Sequence, residues 1–337
     1  MIYFKIKRRF FLLLLVIYLV NCSSYQVIKE EDWENKRKSV TTKIGSLILR
    51  SFEVEDSKGA VLLFDPIFVK KENLHPSLNL PMIPSDKTYL SNYTIYDEIN
   101  YPDKCRGVLI PYLNKRGYSV YLVSPENLDN FSLKKIGQEG LKDIIAEIKD
   151  DKIILGGISL GGQAIAYYLA SPNVSPKIQK AFFLGTGLDY KYSGSLLNQI
   201  EKIYKKEENI KCKITEKDNF CNRLVTSLAI EKSHPRRAIT YPNIIPILEK
   251  DPTQFSGITN QNLEVLVIYG KLDPVSPEES MLAPFFNGWG KEFVLKYLEA
   301  STSSNFGHDY DHFDLFYHKS AESEIYSVIA NWIGKKK

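Results

Sequence analysis

One stretch constrains this chain more than any other. The apolar run Ile153-Ile154-Leu155 leads directly into Gly156-Gly157-Ile158-Ser159-Leu160-Gly161-Gly162, and a helical pattern follows from Gln163 to Ala170. A serine between glycines, placed after a strand and before a helix, needs a turn so tight that its backbone is strained and flanking side chains would collide. Gly157 and Gly161 remove those side chains. Ser159 is then expected above the edge of a sheet, at a helix N-terminus whose free N–H groups face any anion formed there. Five residues of this form arise often by chance, so their weight comes from the strand and helix on either side.

The rest of the chain keeps the same rhythm. Ser46–Phe52, Ala60–Phe64, Ser119–Val123, Lys152–Leu155, Ala181–Leu184, Val265–Tyr269 and Phe293–Leu298 are expected strands. Gly107–Arg116, Leu133–Lys149, Gly161–Ala170 and Ser320–Ile333 have helical period. Such alternation predicts an α/β fold, a mostly parallel sheet with helices on both faces. Two stretches break the pattern, Val69–Lys104 and Tyr190–Thr259, and both are expected to be insertions.

A serine needs a base, and the base an orienting acid. Leu263–Tyr269 ends in Gly270-Lys271-Leu272-Asp273-Pro274, which places Asp273 past the C-terminal end of a strand, where ligand sites of parallel sheets lie. An Asp-Pro pair also caps its own turn as a rule. After the next strand comes Gly307-His308-Asp309-Tyr310-Asp311-His312. Two histidines compete as base, and His312, closer to the last helix, is preferred to His308. His75, His234 and His318 follow no strand end and are expected on the surface.

Gly157–Gly161, Gly270–Pro277 and Asp311–Leu315 together resemble the three signature regions of the α/β-hydrolase superfamily, in its order serine, acid, histidine. Ala60–Phe64, Arg106–Leu109, Lys115–Tyr121 and Phe183–Asp189 are similar to lipases and to polyhydroxyalkanoate-synthase-like members. Those synthases use cysteine where this chain has Ser159. The resemblance therefore implies a serine hydrolase acting on small-molecule or lipid esters, with Ser159, Asp273 and His312 catalytic and no cofactor or metal. It also implies an oxyanion hole made from the backbone N–H of Leu160 and one from the loop after Ala60–Phe64. There Asp65-Pro66 replaces the common His-Gly, and since proline has no N–H the second donor is expected at Ile67. The insertion 190–259 falls where relatives often carry a cap, and Leu196, Leu197, Ile200, Ile203, Leu224 and Leu228 would line an acyl pocket beneath it. Two other uses of the same fold stay open: acyl transfer, and a non-catalytic envelope lipoprotein serving as a binding module.

The first residues suggest a location. Lys5, Lys7, Arg8 and Arg9 precede the 11-residue apolar run Phe10–Val20. That is short of the roughly 20 residues that span a bilayer, and it fits a cleaved signal. Leu19-Val20-Asn21-Cys22 resembles a bacterial lipobox, with Asn21 where a small residue is usual. The expected organisation is a signal at 1–21, lipid attachment at Cys22, a tether at 22–43, a body at 44–189 and 260–337, and a cap at 190–259. The protein would sit in the cell envelope, held to a membrane by its anchor. In such an oxidising compartment Cys212 and Cys221 are expected to form a disulfide, with Cys105 a free thiol. A net charge of +4, from 44 basic and 40 acidic residues without a basic run after the leader, argues against a nucleic-acid partner.

Overall fold

A computed structural model describes residues 36–64, 109–125, 132–189, 263–273, 275–287, 293–312, 314–317 and 320–335. The expectations for the leader, Cys22, Cys105, Cys212, Cys221, Ile67 and the two insertions lie outside these residues. Among the described residues no helix is long and apolar enough to cross a membrane.

Among the described residues eight strands form one sheet: β1 (Arg37–Thr42), β2 (Gly45–Phe52), β3 (Ala60–Phe64), β4 (Ser119–Pro125), β5 (Ile153–Ile158), β6 (Ile178–Leu184), β7 (Glu264–Gly270) and β8 (Val294–Ala300). Their order is β1-β2-β4-β3-β5-β6-β7-β8. β2 runs antiparallel to β1 and β4, and every other neighbouring pair is parallel. The apolar runs read from the sequence explain the centre. All five residues of β3 and all six of β5 are buried, as expected of strands covered on both faces. Alternate residues serve opposite layers. Leu62, Phe64, Leu155 and Phe183 join one core cluster, while Val61, Leu63, Ile154 and Phe182 join the other. Each such side chain taken from water contributes about 1.5–3 kcal/mol.

The first layer is covered by α2, which runs over 133–147, by α3 (Gly161–Leu169) and by α4 (Glu278–Asn287). The second is covered by α1 (Leu109–Asn114) and by the C-terminal helix, α6 (Ser327–Gly334), with the short α5 (Asp314–Tyr317) before it. Lys180, buried on β6, docks α6. Its Nζ donates to the carbonyls of Trp332 (2.9 Å), Ile333 (3.2 Å) and Lys335 (2.8 Å) at the helix's C-terminal end, where carbonyls lack intrahelical donors.

Among the described residues one strand lies before Ile44: Arg37–Thr42 pairs with β2 from Arg37↔Arg50 to Thr42↔Gly45. Apolar content conceals this strand: it lies at the sheet edge, with Val40 and Thr42 buried and Lys38, Ser39 and Thr41 exposed, the composition that keeps an edge from pairing with another chain. Helix α4 is likewise unannounced in the sequence, since Pro284 stands inside it.

Candidate functional site

β5 ends at Ile158, and Ser159 turns the chain into α3 with φ of 49°. Only three non-glycine residues among those described have positive φ, and such strain costs roughly 1–3 kcal/mol. The surroundings hold it in place. The Ser159 N–H donates to the Leu184 carbonyl on β6 (3.0 Å), and its own carbonyl accepts from Gly162 (3.1 Å). A Cβ on Gly157 would stand 2.5 Å from the Gly162 Cα, and one on Gly162 would stand 2.2 Å from Thr186 Oγ1. The close approach thus falls on Gly157 and on Gly162, one residue past the second glycine of the motif. Thr186 locks the pair by donating to the Gly157 carbonyl (3.1 Å).

Asp273 follows β7. Its Oδ1 accepts from the N–H groups of Val275 and Ser276, both at 2.8 Å, and its Oδ2 lies 2.8 Å from His312 Nδ1. The aspartate therefore caps its own turn and meets the histidine at once, one oxygen for each. His312 Nε2 lies 3.1 Å from Ser159 Oγ, which completes a chain of hydrogen bonds. The three residues are 7%, 5% and 4% exposed for serine, histidine and aspartate, so these bonds lie in a low-dielectric setting that strengthens them. With Asp273 as acceptor, the ring proton belongs on Nδ1, and Nε2 is left to accept from the serine.

Of the two competing histidines, His312 reaches Ser159. The His308 ring stacks on Tyr310 at 3.9 Å. Leu160 occupies the cap position of α3, beside the serine and among the N–H groups that a helix start leaves free of intrahelical acceptors. Ile67, Cys22, Cys212 and Cys221 are outside the described residues. Among the described residues no group of three or more His, Cys, Asp or Glu is arranged to hold a metal.

Sequence reasoning missed the residues that hold the histidine loop. Asp311 and Asp314 bracket His312 and cap each other's backbone: Asp314 N–H donates to Asp311 Oδ1 (2.8 Å), and Asp311 N–H to Asp314 Oδ2 (3.2 Å). The D-x-x-D spacing before a helix was the available signal, since it is a capping box with aspartate in both roles. Asp309 accepts from the Thr302 N–H (2.8 Å) and hydroxyl (2.9 Å) and pairs with Lys271 (3.0 Å), two residues before Asp273. The Thr302 N–H first, and then the Lys271 bond, lower the Asp309 pKa to about 2. This exposed link ties the loop of the base to the loop of the acid.

The strand order, with its antiparallel second strand and a strained serine after the fifth, defines the α/β-hydrolase fold. No family model matches the sequence, and no curated protein does. Solved structures match over most of the chain. DcsB in complex with its substrate analogue has a TM-score of 0.53 at 16% identity, over 88% of this chain and 97% of that one. An esterase from Exiguobacterium antarcticum reaches 0.52 at 13% identity, over 88% and 99%. The α/β hydrolase GrgF from Penicillium sp. sh18 reaches 0.50 at 16% identity, over 88% and 96%. At these identities the likeness is one of fold.

Proposed function

We propose that the protein is a serine hydrolase that cleaves carboxylic esters of small molecules or lipids through an acyl-enzyme. The observation that carries this reading is the hydrogen-bonded chain Ser159 Oγ, His312, Asp273, at 3.1 and 2.8 Å, above the C-terminal ends of parallel strands. His312 Nε2 takes the Ser159 proton as Oγ attacks the ester carbonyl, and Asp273 holds the resulting imidazolium through Nδ1. The Leu160 N–H, with that of Ile67 as second donor, stabilises the tetrahedral oxyanion. His312 then passes its proton to the leaving alcohol. Water attacks the acyl-enzyme by the same relay and restores Ser159. The fold likeness to an esterase is consistent with this chemistry.

We place the protein in the cell envelope, lipid-anchored at Cys22, with residues 190–259 as a cap over the acyl site; the charged leader, the apolar run and the lipobox-like segment support that location. The test of the activity is covalent labelling of the detergent-solubilised full chain by a fluorophosphonate probe. Wild type is expected to label, and Ser159→Ala and His312→Ala to lose labelling, with ester turnover down by roughly 10⁶-fold. Unchanged labelling in Ser159→Ala would sink the reading. The anchor has its own test, since Cys22→Ser is expected to abolish incorporation of a labelled fatty acid and release the protein from membranes.

A further inference from the structure

The C-terminal helix carries a wide turn with i→i+5 hydrogen bonding, Glu322–Tyr326, before it continues as α6. Such a turn adds a residue to the helix, loosens its ladder, and recurs at functional sites. Here Ser327 Oγ donates to the carbonyls of Ser323 and Glu324, which supports the turn from within. Glu324 lies on this turn, half-buried. Its Oε2 accepts from the Tyr310 hydroxyl (2.8 Å) and from the Gly307 N–H (3.1 Å). Both donors belong to the loop that carries His312.

Tyr310 joins three elements. It is fully buried; its N–H donates to the Ala300 carbonyl at the end of β8 (3.1 Å), and its carbonyl accepts from Leu272 in the Asp273 loop (2.9 Å). Gly270 admits that carbonyl, since a Cβ there would stand 2.5 Å from it. Burial, and then the Glu324 carboxylate, raise the Tyr310 phenol above its ordinary pKa, so it donates as a neutral hydroxyl. Asp311 and Asp314 cap the turn around His312 locally, whereas Glu324 bonds the loop to the last helix.

We propose that Glu324, acting through Tyr310, is a positioning residue that sets the register in which His312 meets Ser159 and Asp273. The inference rests on the hydrolase reading above. It is tested on the full-length protein by comparing wild type with Tyr310→Phe, Glu324→Ala, Glu324→Gln and the Tyr310→Phe/Glu324→Ala double variant. Fluorophosphonate labelling rate, kcat and KM on a p-nitrophenyl ester, and the thermal midpoint are measured for each.

The expected result is a fall of about tenfold in labelling rate and kcat for Tyr310→Phe and Glu324→Ala, with KM little changed, since misplacing a catalytic group acts on the chemical step. The double variant should fall no further than the worse single one, because the two residues act as one unit. Glu324→Gln, whose amide oxygen still accepts from Tyr310, should recover most of the rate. Should Glu324→Ala not fold, Tyr310→Phe and Glu324→Gln decide by themselves. A lowered thermal midpoint with kcat unchanged well below it would overturn the positioning role while leaving the hydrolase reading intact. Additive losses in the double variant would overturn action through Tyr310. A wild type that does not label overturns the hydrolase reading and this inference with it.

Discussion

The serine and the histidine meet at 3.1 Å, yet the two regions that deliver them are built on different principles. The elbow is held by exclusion: Gly157, Gly162 and Thr186 pack so closely that no further atom fits, and the strained Ser159 backbone is pinned between β6 and the start of α3. The histidine loop is held by polar bonds from Asp309, Asp311, Asp314 and Glu324, spread over several elements. Packing of the first kind fails abruptly, because backbone atoms have nowhere to move. Bonds of the second kind are worth about 0.5–1.5 kcal/mol each when neutral and more when charged, so the loop should degrade in steps.

This difference can be broken by experiment. The largest effect is expected from Gly157→Ala, whose Cβ would stand 2.5 Å from backbone. A loss of about 3 kcal/mol or more of stability, read from denaturant midpoints, should accompany loss of labelling. A fully stable, active variant would show that the elbow is not held by exclusion. Next, Asp311→Ala removes one half of the capping pair and should cost about 1 kcal/mol. Its kcat should fall by more than its midpoint suggests, because the freed turn carries His312; equal activity below the midpoint would mean the loop needs no cap.

The smallest effect belongs to the exposed Lys271–Asp309 link. The Asp309 carboxylate has its pKa lowered to about 2, so its contribution is present above the ordinary carboxylate range and is lost as the pH falls toward 2. The stability difference between wild type and Asp309→Asn should therefore be flat from about pH 5 to 8 and vanish in acid. It should also shrink in high salt, which screens the Lys271 part. A difference that grew in acid would contradict the assignment.

Much of this was legible from residues alone, for identifiable reasons. β3 to β7 announce themselves because central strands are apolar on both faces, β8 by its apolar residues although it is an exposed edge, and Ser159 because its glycines sit where a Cβ would collide. Asp273 follows from its place after β7, and the loop after β8 offers His308 and His312 as candidate bases. β1 was hidden because an edge strand is selected for polar and charged residues, and α4 because Pro284 contradicts the helical pattern around it. Glu324 could not be found at all from spacing, since it meets Tyr310 from 14 positions away across a turn of unusual width.

The local features were settled by neighbours within a few positions: the alternation of strand and helix, the tight turn at Ser159, and the Asp-x-x-Asp box around His312. They depend on side-chain period and backbone sterics, which short stretches already contain. Which histidine would reach the serine was decided only by the tertiary structure. Ser159 and His312 are 153 residues apart, and His312 and Asp273 are 39 apart. They meet because parallel pairing of β5, β6, β7 and β8 brings their C-terminal ends to one side of the sheet, and because Tyr310, stacked against His308 and bonded to Glu324, turns the loop so that His312 faces inward.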